Sequence, residues 1–573
     1  MERKMSFEEV KSDSMTSNSN SSFNDNGVPR GSEKYQPSSL GHYFLSHQPK
    51  TLDEDKMIKK QLQELKEEVR SMFVTIEKFS EKLSLIDSIQ RLGLSYHFDD
   101  EINEVLMLLM QNPCNIDEEH EDLYITALRF RLLRQQGLFI SCEIFNKFTN
   151  ERGEFKESIG KDKIGLLSLY EASHLRMKGE NILDEALAFT TSYLKAMAMD
   201  SNSPFYEEAK YALKWPIYKA VKRLMARHYI SLYSNNPLKN NVLLTFAKLD
   251  YNSLQKLYQN ELSELTRWWK NQKFMEQLHF ARDRVVECYL WALEAFYEPK
   301  YSANRRILLK MIYFVTIIDD MYDAYATVDE LQLFTEAIQR WDTKSIEKLP
   351  NYMKGLYQAI LDFFGEIEED MSMDNSTAPF ALDSAKESFW VQLKRQCKAY
   401  LVEAKWFSEG YVPTMEEYMN VGVVSIGPYV LALVPFLALG NVDTKEVFQW
   451  VQTDPMLLKA GGIIARLMND ITSHKFGQGR GHVACAVECY TKQYGVPKGE
   501  AIVELNKEVV EAWKSMIQDH IDVKFCTKFP DVILHFGLNL ARVANFYYKE
   551  RDGFTFVDGE TKHLMTLSLT MPI

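Results

Sequence analysis

The stretch KMIKKQLQELKEEVRSMFVTIE (residues 56–77) sets the fold class of the chain. Its apolar residues recur at spacings of three and four with charged residues between them, which is the pattern of an amphipathic helix. The same pattern continues from about Leu52 to the C-terminus, and turn-forming residues separate the helical blocks. The sequence therefore predicts an all-α protein.

Composition narrows the class of protein. The chain has 573 residues, 46% of them hydrophobic and 26% charged, as in globular proteins with more than one domain. Its 67 Lys and Arg residues against 80 Asp and Glu residues give a net charge of −13, the wrong sign for broad contact with a nucleic-acid backbone. We expect no nucleic acid as a partner, and an anionic ligand would need clustered basic residues or bound metal cations.

Two polar segments divide the chain. Residues 1–29 are rich in Ser and Asn but also carry acidic residues, which predicts a disordered tail rather than a transit peptide. The segment SNNPLKNNV (residues 234–242) separates two halves that are each large enough for their own core. We expect an N-terminal helical domain over 30–245, a C-terminal domain over 246–573, and a cytoplasmic location.

One uncharged run, residues 418–442, is long enough to suggest a membrane span. Glycine and proline residues interrupt it, among them Gly427 and Pro428, and these residues break helices. We therefore expect a broken pair of buried helices and no membrane span.

The sharpest candidate site is IIDDMYD (residues 317–323), which follows an apolar helical run. On a helix, Asp319 and Asp323 lie about 40° apart around the axis and one turn apart along it. Two converging carboxylates favour a hard divalent cation such as Mg²⁺ that bridges to a phosphate-bearing substrate, and Asp320 is a further candidate ligand. The alternative is an acidic cluster that ends a helix on the solvent side.

A second candidate half-site lies 150 residues later. Asn469 and Ser473 are also spaced i, i+4, so an amide oxygen and a hydroxyl point the same way. Arg282, Arg284 and Arg466 lie near the two motifs in sequence, and guanidinium groups suit a diphosphate. The alternatives are that Asn469 and Ser473 only hydrogen-bond backbone groups at a helix end, and that the arginines lie on the surface, paired with acidic residues.

These motifs occur in an order that resembles the class I terpene synthases of plants, sesquiterpene synthases in particular. The resemblance covers nearly the whole chain. It rests on the following segments: LIDSIQRLGLSYHFDDEI (85–102), DLYITALRFRLLRQQG (122–137), LLTFAKLDYNSLQ (243–255), RWWK (267–270), FARDRVVECY (280–289), DDMYD (319–323), RLMNDITSHKF (466–476) and ARVANFYYKERDGFT (541–555).

The resemblance implies an N-terminal α-barrel-like domain and a C-terminal class I terpenoid synthase bundle that encloses the active site. It also implies roles for individual residues: metal ligands at Asp319, Asp320, Asp323, Asn469 and Ser473; diphosphate-binding arginines at Arg282, Arg284 and Arg466; pocket aromatic rings at Trp291, Tyr547 and Phe554; and a pocket carboxylate at Asp552. Three Mg²⁺ ions are expected, with Mn²⁺ as an alternative.

The implied reaction is ionisation of farnesyl diphosphate, release of diphosphate and conversion of the carbocation to a sesquiterpene. We expect a monomer, because no heptad run indicates an obligate coiled coil. Two positions in the C-terminal half depart from the family pattern. Gly477 replaces the Glu that follows Ser473 by four residues in the family, which predicts weaker metal affinity. Phe554 lacks the hydroxyl of the usual Tyr. The alternative function is therefore a weakly active or non-catalytic homologue that binds a prenyl diphosphate.

Two further rivals have less support. An isoprenyl diphosphate chain elongator would need a second Asp-rich motif where this chain has NDITS (residues 469–473), and a membrane receptor would depend on the 418–442 run.

Overall fold

A computed structural model describes residues 22–23, 29–30, 35, 37–38, 40–47, 52–111, 122–373, 379–437, 439, 444–477, 484–526 and 529–573. Within these residues the protein is helical, apart from one short antiparallel pair of strands, β1 (Ser22–Phe23) and β2 (Pro29–Arg30), and an isolated bridge. The predicted all-α class is confirmed. Most of the predicted tail, residues 1–29, lies outside the described residues.

The N-terminal half is built from nine α-helices among the described residues. They are α1 (Gly41–Ser46), α2 (Leu52–Thr75), α3 (Phe79–Arg91), α4 (Asp99–Gln111), α5 (Leu123–Gln135), α6 (Lys163–Ser173), α7 (Asn181–Met197), α8 (Tyr206–Lys214) and α9 (Lys222–Asn235). Short 3-10 turns connect several of them, at Ser95–His97, Cys142–Phe148, Glu157–Lys161 and Ile217–Lys219.

The C-terminal half continues with longer helices that surround a central cavity. They are α10 (Asn241–Lys270), α11 (Val285–Ala295), α12 (Ser302–Asp320), α13 (Val328–Arg340), α14 (Asn351–Met373), α15 (Pro379–Glu409), α16 (Met415–Ser425), α17 (Pro428–Leu437), α18 (Thr444–Gln452), α19 (Met456–Gly477), α20 (Ala486–Tyr494), α21 (Lys498–Cys526), α22 (Asp531–Tyr547) and α23 (Gly559–Thr570). The described residues of this half also form three 3-10 turns, at Lys273–Gln277, Pro299–Tyr301 and Thr343–Lys348. One π turn lies at Met321–Tyr325.

Helix α10 joins the two halves. Asn240 caps its N-terminus by accepting hydrogen bonds from the Val242 and Leu243 amides, so the polar segment 234–242 ends α9 and begins α10. The predicted domain boundary at 245/246 falls inside this continuous helix. Its first turns pack into the N-terminal core and its later turns into the C-terminal core, so one rigid element serves both.

The described part of the uncharged run, residues 418–437 and 439, contains the broken helix pair that the sequence predicts, and most of its described side chains are buried. Helix α16 ends at Ser425 and α17 begins at Pro428, with Gly427 between them at φ +93°, a conformation that favours glycine. In the part of the chain that the structure describes, no helix is both long enough and apolar enough to cross a bilayer.

Glycine also lets two of the cavity helices approach closely. A Cβ atom at Gly461 on α19 would lie 2.9 Å from the Gly537 carbonyl oxygen on α22, and one at Gly537 would overlap the Leu457 carbonyl oxygen. The close contact fixes α19 against α22 and so sets where the second predicted half-site lies.

A buried ion pair ties α10 to the cavity helices. Glu261 and Arg305 are 1% and 0% exposed, and two of the Arg305 nitrogens lie 2.6 and 2.9 Å from the Glu261 carboxylate oxygens. The Tyr289 and Ser302 hydroxyls each donate to the same carboxylate at 2.6 Å. Four donors therefore depend on one acidic side chain.

Replacing Glu261 with Ala should destabilise the protein by about 3–5 kcal/mol, because it leaves a buried guanidinium without a counter-charge. Glu264→Ala is the matched control on the same helix, since Glu264 is 50% exposed in its pair with Arg306 and should cost at most about 1 kcal/mol. Thermal unfolding of both variants checks this; equal shifts in Tm would contradict the assignment.

Candidate active site

A cavity of about 310 Å³ lies among the helices of the C-terminal half. This volume is within the usual range for sites that enclose a small molecule. Ten of the residues singled out in the sequence line it: Arg282, Trp291, Asp319, Asp320, Asp323, Arg466, Asn469, Ser473, Asp552 and Phe554. Segments far apart in the chain thus meet at one place, while the roles of their side chains stay predictions.

The acidic wall of the cavity forms where α12 changes its helical pitch. Helix α12 ends at Asp320 and a π turn over Met321–Tyr325 follows, closed by a hydrogen bond from the Ala326 amide to the Met321 carbonyl. Such widened turns are frequent at functional sites. Here both Asp319 and Asp323 border the cavity across this change of pitch.

Arg282 neutralises part of the acidic wall. Its guanidinium lies 2.9 Å from an Asp319 oxygen and 2.8 Å from an Asp320 oxygen, and its amide donates to Asp320 at 2.8 Å. Burial raises the pKa of Asp320 to about 6 despite the opposing effect of Arg282.

Asp323 has no such arginine partner in the described residues. Its side chain is exposed to the cavity, yet the surrounding protein removes it from bulk water. Burial raises its pKa well above the ordinary range, and the charges of Asp319 and Glu403 raise it further. An additional cation at this wall would relieve that repulsion.

The opposite wall is carried by α19. Asn469 and Ser473 lie one turn apart on it, and the Ser473 hydroxyl donates to the Asn469 carbonyl at 2.7 Å. Arg466, one turn earlier, donates to the Gly422 carbonyl at 3.2 Å and the Ser425 hydroxyl at 2.7 Å. The end of α16 therefore orients this guanidinium.

The donor atoms of the two walls fit a hard divalent cation. They are carboxylate, amide and hydroxyl oxygens, the ligands that Mg²⁺ and Mn²⁺ prefer. The described residues contain no cluster of three or more His, Cys, Asp or Glu side chains arranged to enclose a metal. Each half-site would therefore need water or phosphate oxygens to complete the shell, which is the usual way that proteins bind Mg²⁺.

Aromatic rings line the inner part of the cavity. Trp291 stacks on Tyr547, with ring centroids 5.6 Å apart and planes 23° apart, and Phe554 meets Tyr547 edge-on at 5.6 Å. Trp291 and Phe554 border the cavity, whereas Tyr547 lies behind them and its hydroxyl donates to the Glu287 carbonyl at 3.0 Å. Tyr547 thus supports the rings that border the cavity.

Arg284 also lies outside the cavity lining, and its expected contact with a diphosphate stays a prediction. Its buried guanidinium donates to the carbonyl oxygens of Phe554 at 3.0 Å and Thr555 at 2.7 Å. It therefore holds in place the segment that carries Phe554. The sequence could not separate it from Arg282, because only the packed structure shows which way each side chain turns.

Several cavity residues were missed in the sequence. Glu403 on α15 is buried, accepts from the Ser425 hydroxyl at 2.8 Å, and has its pKa raised to about 7 by burial, although Arg466 lowers it. Asp470 accepts from the Tyr418 hydroxyl at 2.6 Å. Asp470 sits in the second motif and could have been considered, but nothing local marks Glu403 among the other acidic residues of its helix.

Gly477, where the family pattern has Glu, is the last residue of α19. Residues 478–483 beyond it lie outside the described part of the chain.

The chain matches two family models. One is the N-terminal domain of terpene synthases, over residues 39–213, and the other is the metal-binding domain of the terpene synthase family, over residues 270–515. Use of a divalent metal is therefore a property of the family domain that carries both half-sites.

Related proteins cover almost the whole chain. It is 46% identical to (−)-germacrene D synthase of Vitis vinifera, over 95% of this chain and 96% of that protein. It is 44% identical to alpha-farnesene synthase of Cucumis melo, over 96% and 99% respectively.

Solved structures agree with these relatives. Isoprene synthase of grey poplar, in complex with three Mg²⁺ ions and dimethylallyl-S-thiolodiphosphate, superposes with a TM-score of 0.82 at 34% identity, covering 94% of this chain and 99% of that one. A limonene synthase with 2-fluorolinalyl diphosphate gives a TM-score of 0.85 at 32% identity, covering 95% and 100%. The motifs, the helical fold and the similarity over nearly its full length together show that this chain belongs to the terpene synthase family of plants.

Proposed function

We propose that the protein is a Mg²⁺-dependent sesquiterpene synthase that ionises farnesyl diphosphate, releases diphosphate and converts the carbocation to a sesquiterpene. The observation that carries this proposal is one cavity with two oxygen-rich walls, arginines beside both, and aromatic rings within. Relatives named for germacrene D, valencene and farnesene synthesis support a farnesyl substrate. The cytoplasmic location and the monomeric state remain predictions.

The polar end of the cavity would bind the diphosphate. Asp319 and Asp323 on one wall, and Asn469 with Ser473 on the other, would hold the metal, while Arg282 and Arg466 bind diphosphate oxygens as fixed cations. Bound Mg²⁺ supplies positive charge that offsets the negative charge developing on the leaving diphosphate. The same two arginines would stay in place as the C–O bond breaks, so no reorganisation is needed then.

The apolar end would protect the carbocation. Trp291 and Phe554 present ring faces, each worth roughly 0.5–2 kcal/mol to a desolvated cation. Ile312 and Leu431 also line the cavity and exclude water that would trap the cation as an alcohol. Asp552, which accepts hydrogen bonds from the Phe554 and Thr555 amides, is our candidate acceptor for the proton lost at the end.

Purified protein with farnesyl diphosphate and Mg²⁺ should release sesquiterpenes that gas chromatography–mass spectrometry detects, and chelation of the metal should abolish them. Asp323→Ala should reduce the rate by about 100-fold or more, because one wall loses a metal ligand. The control Asp329→Ala removes an exposed carboxylate from the first turn of the next helix and should retain activity.

Geranyl diphosphate, run in parallel, tests the chain length of the substrate. Metal-dependent product from geranyl diphosphate alone would contradict the farnesyl assignment, and equal activity of both Asp variants would contradict the assigned metal site.

Gly477→Glu should lower the Mg²⁺ concentration needed for half-maximal activity by about tenfold or more, because it restores a carboxylate at the expected position. Gly477→Gln has nearly the same size without the charge and should leave the Mg²⁺ requirement unchanged. Initial rates over a Mg²⁺ titration measure this.

The same titration distinguishes an active synthase from the alternative, a non-catalytic protein that binds a prenyl diphosphate. Product from Gly477→Glu but not from the native chain would favour a non-catalytic prenyl diphosphate binder. Identical titration curves for both variants and the native chain would show that Gly477 leaves metal binding intact.

A further inference from the structure

The second metal half-site, on α19, contains no carboxylate of its own. Its two predicted ligands, Asn469 and Ser473, offer an amide oxygen and a hydroxyl, and Gly477, one turn later, ends the helix without a side chain. Proteins commonly bind Mg²⁺ through one or two carboxylates together with water and phosphate oxygens. A cation at this wall would therefore need an acidic side chain from another part of the chain.

Asp470 is acidic and follows Asn469 directly, but its carboxylate is already engaged. It is 3% exposed. One of its oxygens accepts from the Tyr418 hydroxyl at 2.6 Å and from the Ala486 amide at 3.0 Å, and the other lies 3.7 Å from the Arg466 guanidinium. Asp470 thus ties the start of α20 to α19 instead of facing a metal.

Helix α20 brings a second carboxylate to this wall. Glu488 lies in its first turn, and the amide of Cys485, just before the helix, donates to the Glu488 carboxylate at 3.2 Å. The side chain therefore folds back toward the start of α20, which is the end that Asp470 contacts. Glu488 lines the catalytic cavity together with Asn469 and Ser473.

The Glu488 carboxylate can accept a further partner. One of its oxygens accepts from the Cys485 amide, and in the part of the chain that the structure describes the other oxygen accepts no hydrogen bond and the group forms no ion pair. Glu403, also a cavity residue, instead accepts from the Ser425 hydroxyl at 2.8 Å. Glu488 is only half-buried, so its carboxylate is accessible from the cavity that it lines.

We propose that Glu488 supplies the carboxylate of the second metal half-site, as a ligand that α20 contributes where Gly477 contributes none. This inference rests on the metal site of the proposed function. Asn469, Ser473 and Glu488 would together offer a hard cation amide, hydroxyl and carboxylate oxygens, with water and diphosphate oxygens completing the shell. Because Glu488 lies on a different helix from the other two ligands, the bound ion would also hold the start of α20 against α19.

The test is binding of Mn²⁺, a hard ion whose free form is measured by electron paramagnetic resonance, to the full chain with inorganic diphosphate at one fixed concentration. We expect Glu488→Gln to weaken Mn²⁺ binding at this half-site by about tenfold or more, because a neutral amide replaces a charged ligand. Glu500→Gln is the matched control, since Glu500 is an exposed acid in the first turn of α21, and it should bind Mn²⁺ like the native chain. Unchanged Mn²⁺ binding by Glu488→Gln would overturn the proposal.

A double variant separates metal binding from a structural role at the start of α20. Gln can replace Glu in the hydrogen bond to the helix start, so Glu488→Gln should unfold at the native Tm. Adding Gly477→Glu to Glu488→Gln returns a carboxylate to the half-site and should restore Mn²⁺ binding. Failure to restore it would also overturn the proposal, because the loss would then come from a disturbed helix start.

Mn²⁺ binding does not depend on turnover, so a failure of the proposed synthase activity would leave this result standing. Conversely, sesquiterpene formation by the native chain, with unchanged Mn²⁺ binding in Glu488→Gln, would support the proposed function and overturn this inference alone. In the activity assay, Glu488→Gln should need about tenfold more Mg²⁺ for half-maximal rate, and Glu500→Gln should need as much as the native chain.

Discussion

The carboxylates at the end of α12 impose the central constraint on this structure, because they bring negative charge into a helical core. Asp320 is buried and Asp323 faces the cavity, where the surrounding protein partly removes it from bulk water, so a cation or protonation must offset each charge. The Arg282 guanidinium forms ion pairs with both Asp319 and Asp320. Asp323 has no ion-pair partner among the described residues, so a bound cation would have to offset its charge. This uncompensated charge makes the wall suitable for a metal and, through it, for a diphosphate. The break between α16 and α17 belongs to the same constraint, since the Gly422 carbonyl and the Ser425 hydroxyl at the end of α16 accept hydrogen bonds from Arg466 on the facing wall.

Local patterns in the sequence were sufficient for features that depend on one helix at a time. Helical periodicity predicted the all-α class, the spacing of Asp319 and Asp323 predicted a shared wall, and Gly427 with Pro428 predicted the break in the uncharged run. The widened turn after Asp320 was not predicted, because the choice between α and π pitch depends on the packing around Tyr322 and its neighbours. Ten of the chosen site residues meet in one cavity because the packing of the helices brings their separate segments together.

Features that depend on contacts between helices could not be predicted from local patterns in the sequence. Arg282 and Arg284 are two residues apart in one motif, yet one faces the cavity and the other holds the Phe554 segment. Glu403 borders the cavity only because α15 packs against α16 and the end of α12. The polar segment 234–242 marks a helix start, and α10 then continues through the predicted boundary because both cores bury it. Breakers in the sequence locate helix ends, whereas a domain boundary also requires that few contacts cross it.

The cavity that holds the two half-sites indicates how a chain with a net charge of −13 could still receive an anion. Its overall field opposes the approach of a diphosphate, so binding must rest on short-range groups that are screened from that field by burial. In the catalytic cavity the local charge is negative as well, and a metal is needed before an anion can bind. Dependence on Mg²⁺ therefore follows from the sign of the charge that the cavity leaves unmatched.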